Sequence, residues 1–596
     1  MNNEFENALA WFRSAPARWM NSAKKDLTAG AEWIWGVIQG DFNEDWNSAI
    51  SFNYGRVDIR QDELNDLIAF DLDGNTDGFL LAIDAVRNAA GEIVCRVNQV
   101  TVTRPDCVPI NTFGFGAPTQ AALDFVNTAS WVEQRAAQYN VVAYVNGDLS
   151  QLFELPGGPV RFVVGGEWRR ETAFLEADPL SAAGGTFFNA FATFDPPALQ
   201  VWEAFGEIEI PLLRDLPFAQ ELTLTAAARY SDYNSGGGGA GSTFAYNING
   251  TWAPVRDIRF RANYSRSVRV PTLSDLFTVA SQNFAFLADP CDVVNIGNGT
   301  ANRPTNCAAD GVPVGFVNTL ARSQSTGFFS QGNPFLQEET GKSLTIGTVI
   351  TPRWIPGLSV TVDYYRIRVN NLIAVLGAQT ILNQCYDLPR PNQFCDLLSP
   401  RNPDFTFANP ALISGGVNFA QFKADGIDVE LSYRRTFENG HRLNFRGIAT
   451  YVIRRDNFTS PTDPTFRDRV LGEVGDPQLA ANLSLSYGIG AWDFRWSTNY
   501  VGKQTIGAWE NYFSVDGRPA QNADLTAERF YPAQWYHSMR LSYRVNERFQ
   551  FYGGIDNVLD NDPRILRNLF GSTGTAAGSS YDVVGRFFYA GAIIDF

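Results

Sequence analysis

Alternation of apolar and polar positions dominates the chain. Successive side chains of an extended strand point to opposite faces, so an alternating run presents one apolar and one polar face. Leu222, Leu224, Ala226, Ala228 and Tyr230 alternate with Thr223, Thr225, Ala227, Arg229 and Ser231. Ala481, Leu483, Leu485 and Tyr487 alternate with Asn482, Ser484 and Ser486, and Trp492, Phe494, Trp496 and Tyr500 with Asp493, Arg495, Ser497 and Asn499. Met539, Leu541, Tyr543 and Val545 oppose Ser538, Arg540, Ser542 and Arg544. The last run sets Phe588, Ala590, Ala592, Ile594 and Phe596 against Tyr589, Gly591 and Asp595. Such a strand is an aggregation hazard at an open edge in water, whereas in a closed membrane barrel the last strand pairs with the first.

The pattern predicts about sixteen strands, most of them at least the roughly 10 residues that a tilted barrel strand needs. They cover 47–58, 133–149, 158–174, 196–211, 218–232, 242–252, 257–268, 340–352, 357–371, 418–435, 441–454, 478–488, 491–503, 534–545, 548–556 and 584–596. The connections alternate. Long loops at 59–132, 175–195, 269–339, 372–417, 455–477, 504–533 and 557–583, with the Gly-rich 233–241, are interleaved with tight turns such as Asp215-Leu216-Pro217, Ala253-Pro254, Pro356-Gly357, Asn439-Gly440 and Asn546-Glu547. Tight turns at one end and long loops at the other are the asymmetry of outer-membrane barrels, and a soluble sandwich has no reason to keep that parity. The predicted fold is all-β, a transmembrane antiparallel β-barrel with long extracellular loops, placed in the bacterial outer membrane and in contact with its lipid.

Composition sharpens this picture. Three Met, two His and 18% charged residues, against 52 Gly and 13% aromatics, are unlike a set of soluble domains. No stretch approaches the roughly 20 apolar residues of a membrane helix, so any crossing is made by strands. A net charge of −16 with no basic cluster argues against nucleic acid as a partner. The scattered acids read as solubility of the exposed loops, with an acidic cation-binding role as the alternative.

The six cysteines fall pairwise into three long loops: Cys95 with Cys107, Cys291 with Cys307, and Cys385 with Cys395. Local pairs in an even total suit disulfides of an oxidising compartment. Metal thiolates are the competing reading, but no Cys-x-x-Cys and no His lies in these loops. No nucleophile elbow, zinc-protease helix or phosphate loop is present, so no enzymatic activity, catalytic residue or cofactor is expected. Gly297, Asn298 and Gly299 form a loop turn without the flanking strand and helix of a dinucleotide site. His441 and His537 are far apart in sequence and read as interfacial polar residues.

From about residue 46 onward the chain resembles the barrel of a TonB-dependent outer-membrane receptor. The resemblance rests on Tyr264 to Phe277 (YSRSVRVPTLSDLF), Asn333 to Leu344 (NPFLQEETGKSL), Val362 to Ile367 (VDYYRI), Ala424 to Leu431 (ADGIDVEL), Ile555 to Asn561 (IDNVLDN) and the terminal Tyr589 to Phe596, in that order. It implies uptake of a scarce small-molecule ligand such as an iron chelate, a vitamin or an oligosaccharide, driven through the TonB complex acting on a plug inside a barrel of about twenty-two strands. Neither plug nor TonB-contacting segment is recognised here, so the TonB complex is a partner only if a plug is supplied. A passive channel and a surface anchor are the alternatives.

Residues 1–45 read as a separate helical N-terminal segment, with Trp11, Trp19, Trp33 and Trp35 among Ala, Lys and Glu, ahead of a barrel at 46–596. They resemble neither a plug nor a signal peptide. Ligand binding is expected in the long loops, where Phe284, Phe286, Phe328, Phe329, Trp509, Tyr512 and Phe513 offer aromatic faces for sugars or aromatic chelates. The same residues equally suit packing of loop against loop and the interfacial aromatic girdle.

Overall fold

The structure, a computed structural model, describes residues 25–113, 117–186, 192–239, 241–392, 394–460, 463, 465–526, 528–562 and 581–595. Among them one antiparallel sheet holds eighteen strands, seventeen of them long and one the two-residue Asp468–Arg469. The long strands are β1 (Lys25–Asp41), β2 (Trp46–Leu67), β3 (Asn127–Asp148), β4 (Arg161–Ala177), β5 (Leu199–Leu216), β6 (Ala219–Asn234), β7 (Ser242–Val255), β8 (Ile258–Arg269) and β9 (Glu339–Ile350). They continue as β10 (Leu358–Val375), β11 (Gly416–Thr436), β12 (Arg442–Phe458), β13 (Leu479–Ile489), β14 (Trp492–Val501), β15 (Gln534–Arg544), β16 (Phe549–Asp556) and β17 (Phe587–Ile594). Each pairs with the next along the chain, so interior strands bond on both sides, as hydrocarbon demands. No helix of the described residues is long and apolar enough to cross a membrane.

Register carries one apolar face from strand to strand. Leu224 pairs with Ile210 and Gly250, Ile248 with Ala226 and Tyr264, and Ile346 with Ala262 and Tyr364. Ile427 pairs with Tyr364 and Tyr451, Leu485 with Phe445 and Trp496, and Leu541 with Phe494 and Gly553. Leu224, Ile248, Ile346, Leu485 and Leu541 are exposed, which is a liability in water and the ordinary condition of a lipid-facing belt. Tyr500 lies 4.4 Å from Trp535 near the loop end and Trp492 lies 4.5 Å from Tyr543 near the turn end, where girdles belong. The other face is polar. Arg229 reaches Glu203 at 2.7 Å and Glu167 at 3.2 Å, Arg261 pairs with Asp363, and Thr450 donates to Asp428 at 2.6 Å.

Every predicted strand has its counterpart, and the parity of long and short connections holds throughout. Two expectations need correction. Lys25–Asp41 is strand rather than helix, paired residue for residue with β2 from Lys25 opposite Glu63 to Asp41 opposite Asn47, so strands begin before residue 46. The physical reason is local: Ile34, Val37 and Ile38 are β-branched, and Gly30, Gly36 and Gly40 disfavour a helix. Trp33 lies over Gly55, where a Cβ would meet its indole nitrogen at 3.0 Å, so glycine leaves the ring its room. Residues 1–24, including Trp11 and Trp19, lie outside the described residues, as does Phe596.

The second correction concerns the seam. Among the described residues β17 pairs only with β16 and β1 only with β2. Seventeen is odd, so β1 and β17 both run from the loop end to the turn end. An antiparallel seam between them takes an odd number of further strands.

Candidate functional site

Above the polar face of the sheet the long loops form two packed assemblies. The first joins loops 270–338 and 376–415. Helix Ala378–Asp387 and helix Asn302–Ala309 pack around Leu287, Ile381, Leu382, Tyr386 and Leu412, all buried. Disulfides Cys291–Cys307 and Cys385–Cys395 close this core, and Cys95–Cys107 closes a third ring in loop 68–126, pairing the cysteines as expected. Charge is buried with its partner. Arg401 meets both oxygens of Asp289 at 2.7 Å, and Arg303 reaches Asp387 at 2.5 Å. Arg401 also donates to the Tyr386 hydroxyl at 2.9 Å, which donates to Asp310 at 2.7 Å. Burial pushes the Tyr386 phenol up to about 12 despite the Arg401 charge beside it.

The loop strands Ser281–Ala285 and Thr326–Ser330 sort the predicted aromatics by face. Phe328 pairs with Asn283 and packs on the loop core. Phe329 pairs with Gln282, which puts it on the same face as Phe284, away from that core. Phe284 is 54% exposed and Phe286 75%, so this edge presents aromatic surface outward.

The second assembly joins loops 459–478 and 502–533. Ile506, Tyr531, Tyr536 and Tyr581 form its core, with Gln504 donating to Tyr581 at 2.7 Å and accepting from the Gly475 amide at 2.7 Å. The Trp509 and Phe513 rings lie 4.4 Å apart at a tilt, and Arg469 lies 4.0 Å over Trp509. Tyr512 is buried, with its hydroxyl donated to the Ile506 carbonyl at 2.5 Å, and packs the loop instead of facing a ligand. The seven predicted aromatics thus fall into two groups, one in each assembly.

Three acids that sequence reasoning did not single out meet in the second assembly. Carboxylate oxygens of Asp468, Glu473 and Glu510 lie within 4.8 Å of one another. Glu473 accepts from the Trp509 amide and Glu510 from the Arg469 amide, both at 2.7 Å. Burial, with the neighbouring acids adding to it, pushes Glu473 up to about 7 and raises Asp468. Beside this assembly a cavity of about 660 Å³ lies against the inner face, lined by Thr450, Asn482, Asn499 and Ser538 of the wall together with Tyr536 and Tyr581. Polar and aromatic lining together suit a small ligand with both kinds of surface.

An antiparallel sheet with a lipid-facing belt, a polar inner wall, tight turns at one end and braced loops at the other defines an outer-membrane β-barrel. Residues 2–558 match the family described as TonB dependent receptor-like, beta-barrel, and the chain belongs to that family, whose members stand in the Gram-negative outer membrane. Solved structures agree on the fold. A variant of the ferric enterobactin receptor PfeA from Pseudomonas aeruginosa aligns with a TM-score of 0.56 at 14% identity, covering 96% of this chain and 62% of that one. The siderophore receptor PirA from Acinetobacter baumannii aligns with a TM-score of 0.54 at 13% identity, covering 96% and 63%. Another PfeA variant, solved in complex with enterobactin, aligns with a TM-score of 0.56 at 15% identity, covering 96% and 63%. The chain therefore spans less than two thirds of the length of these structures. The family and these neighbours are receptors and transporters, not enzymes. No curated protein matches the chain.

Proposed function

We propose that this chain forms the wall and the ligand-facing loops of an outer-membrane receptor that takes up a small aromatic metal chelate. The observation that carries the reading is the disulfide-braced loop assembly, which holds Phe284 and Phe286 exposed, with half-buried Phe329 on the same face as Phe284, at the loop end of a polar-walled barrel. Flat aromatic rings recognise a catechol-type chelate by stacking, and rigid loops spare the entropy of ordering them on binding. The PfeA variant solved with enterobactin supports the ligand class by its fold. The matched family is defined on the barrel, so coupling to TonB is proposed for this wall joined to a plug, not for the wall alone.

The test is quenching of intrinsic tryptophan fluorescence in the detergent-solubilised chain by an iron(III) tris-catecholate, with a vitamin and a linear oligosaccharide as comparison ligands. Saturable quenching by the chelate, weakened about tenfold when Phe284 and Phe329 are both replaced by Ala, is expected from the loss of two stacking contacts. Saturation by the vitamin or the oligosaccharide alone would reassign the ligand class. Ion conductance in planar bilayers without affinity for any of the three would make the chain a passive channel, which the polar inner wall also suits.

A further inference from the structure

The loop acids outside the aromatic edge point to a second binding site. Asp468, Glu473 and Glu510 come from two loops, and oxygens of all three lie within 4.8 Å of one another. Oxygens about one calcium-sized ion, each 2.3–2.6 Å from it, stand up to about 5 Å apart, so the spacing fits. Glu510 is 7% exposed, and no donor reaches its second carboxylate oxygen, Oε2, which is sealed from solvent. Its first oxygen is taken by the Arg469 amide, so the unpartnered oxygen is the one left to meet the other two acids.

The arginines nearby form no ion pair with these acids. Among the described residues none of the three acids enters a salt bridge with a side chain. Arg467 pairs with Asp516 at 2.9 Å, Arg455 pairs with Asp476, and Arg469 and Arg518 lie over the rings of Trp509 and Phe466. Buried carboxylates this close repel unless a proton or a cation stands between them. An all-oxygen, three-carboxylate donor set belongs to a hard divalent cation rather than to a soft transition metal. We propose that Asp468, Glu473 and Glu510 bind a calcium-class cation that fastens loop 459–478 to loop 502–533.

Terbium luminescence in the full chain in detergent tests this, because Trp509 donates its amide to Glu473 and stands beside the site as a sensitiser. The expected result is saturable tryptophan-sensitised emission that Ca²⁺ displaces and Mg²⁺ displaces poorly. Affinity should fall about tenfold or more in E510Q and in E473Q. Glu473→Gln keeps an acceptor for the Trp509 amide and guards against a folding defect, and retention of the heat-modifiable gel band shows that each variant is folded. The exposed Asp404→Asn, in the other assembly, should bind as the parent does. Absence of sensitised emission would overturn the proposal, leaving a shared proton between the acids. Emission equal in the parent, E510Q and E473Q would overturn it as well.

Discussion

Asp289 is wholly buried at its side chain, and the Arg401 guanidinium lies across both of its oxygens. Removing one partner of such a pair strands a buried charge, at about 3–5 kcal/mol. Asp289→Ala should therefore unfold the loop assembly while leaving the barrel strands resistant to protease. Limited proteolysis should show new cleavage within 270–338 and 376–415, and the band that resists boiling-free gel conditions should not change. Tyr386 sits in the same network. Its folded pKa, pushed up to about 12, lies above its ordinary value of 10.0, so the folded form holds the phenolic proton longer than the unfolded form. That contribution is fully present below pH 10 and is lost as pH rises through about 12. Titrated by phenolate absorbance, the chain should show a late-ionising tyrosine that Tyr386→Phe removes, with the loops loosening in that same alkaline window.

At the scale of elements, β1 is the decisive case. Trp35 pairs with Asn53 across the β1–β2 ladder, whereas Phe52 points to the opposite face. The double variant W35C/N53C should cross-link spontaneously, since directly opposed strand positions meet disulfide geometry, and W35C/F52C should not. Failure of the first pair would return this segment to a helix. The turn between β9 and β10 offers a backbone counterpart: Gly357 has φ +89°, and a Cβ there would meet the Arg434 carbonyl oxygen. Gly357→Ala should cost about 1–3 kcal/mol, read as a lower temperature of conversion on an unboiled gel. Sixteen strands were legible because their alternation is one-sided and their turns carry Gly, Pro, Asn or Asp. β1 was not, because Trp33, Ile34, Trp35, Val37 and Ile38 place apolar residues on both faces and leave no alternation to read. The disulfides were legible because each ring closes within one loop. The acid trio was not, because Asp468 and Glu473 meet Glu510 only when two loops pack together, and no spacing in sequence encodes that.

For the whole molecule, the governing fact is that the apolar face faces away from the interior. Trp202 is 64% exposed, and its partner across the ladder is Trp168, on the face that register continues through Val141 and Phe52. A soluble protein would pay for such a surface with aggregation, and a lipid bilayer removes the penalty by replacing water along the belt. Trp509 belongs to the loops, where it packs against Phe513 and is covered by Arg469. Bilayers of brominated lipid therefore separate the two populations. Replacing Trp202 by Phe should lower the quenchable share of the fluorescence, and replacing Trp509 by Phe should lower the unquenched share. The reverse result would place the loops in the membrane and the strands outside it, and the outward reading of the register would fall. The same experiment reads the seam. With β1 and β17 parallel, the ring closes antiparallel only through an odd number of further strands, and lipid entering an unclosed edge would reach the inner-facing Trp33 beside Gly55. Quenching that falls when Trp33 becomes Phe marks lipid reaching the inner face at an open edge, and quenching that does not change marks an inner face kept clear of lipid.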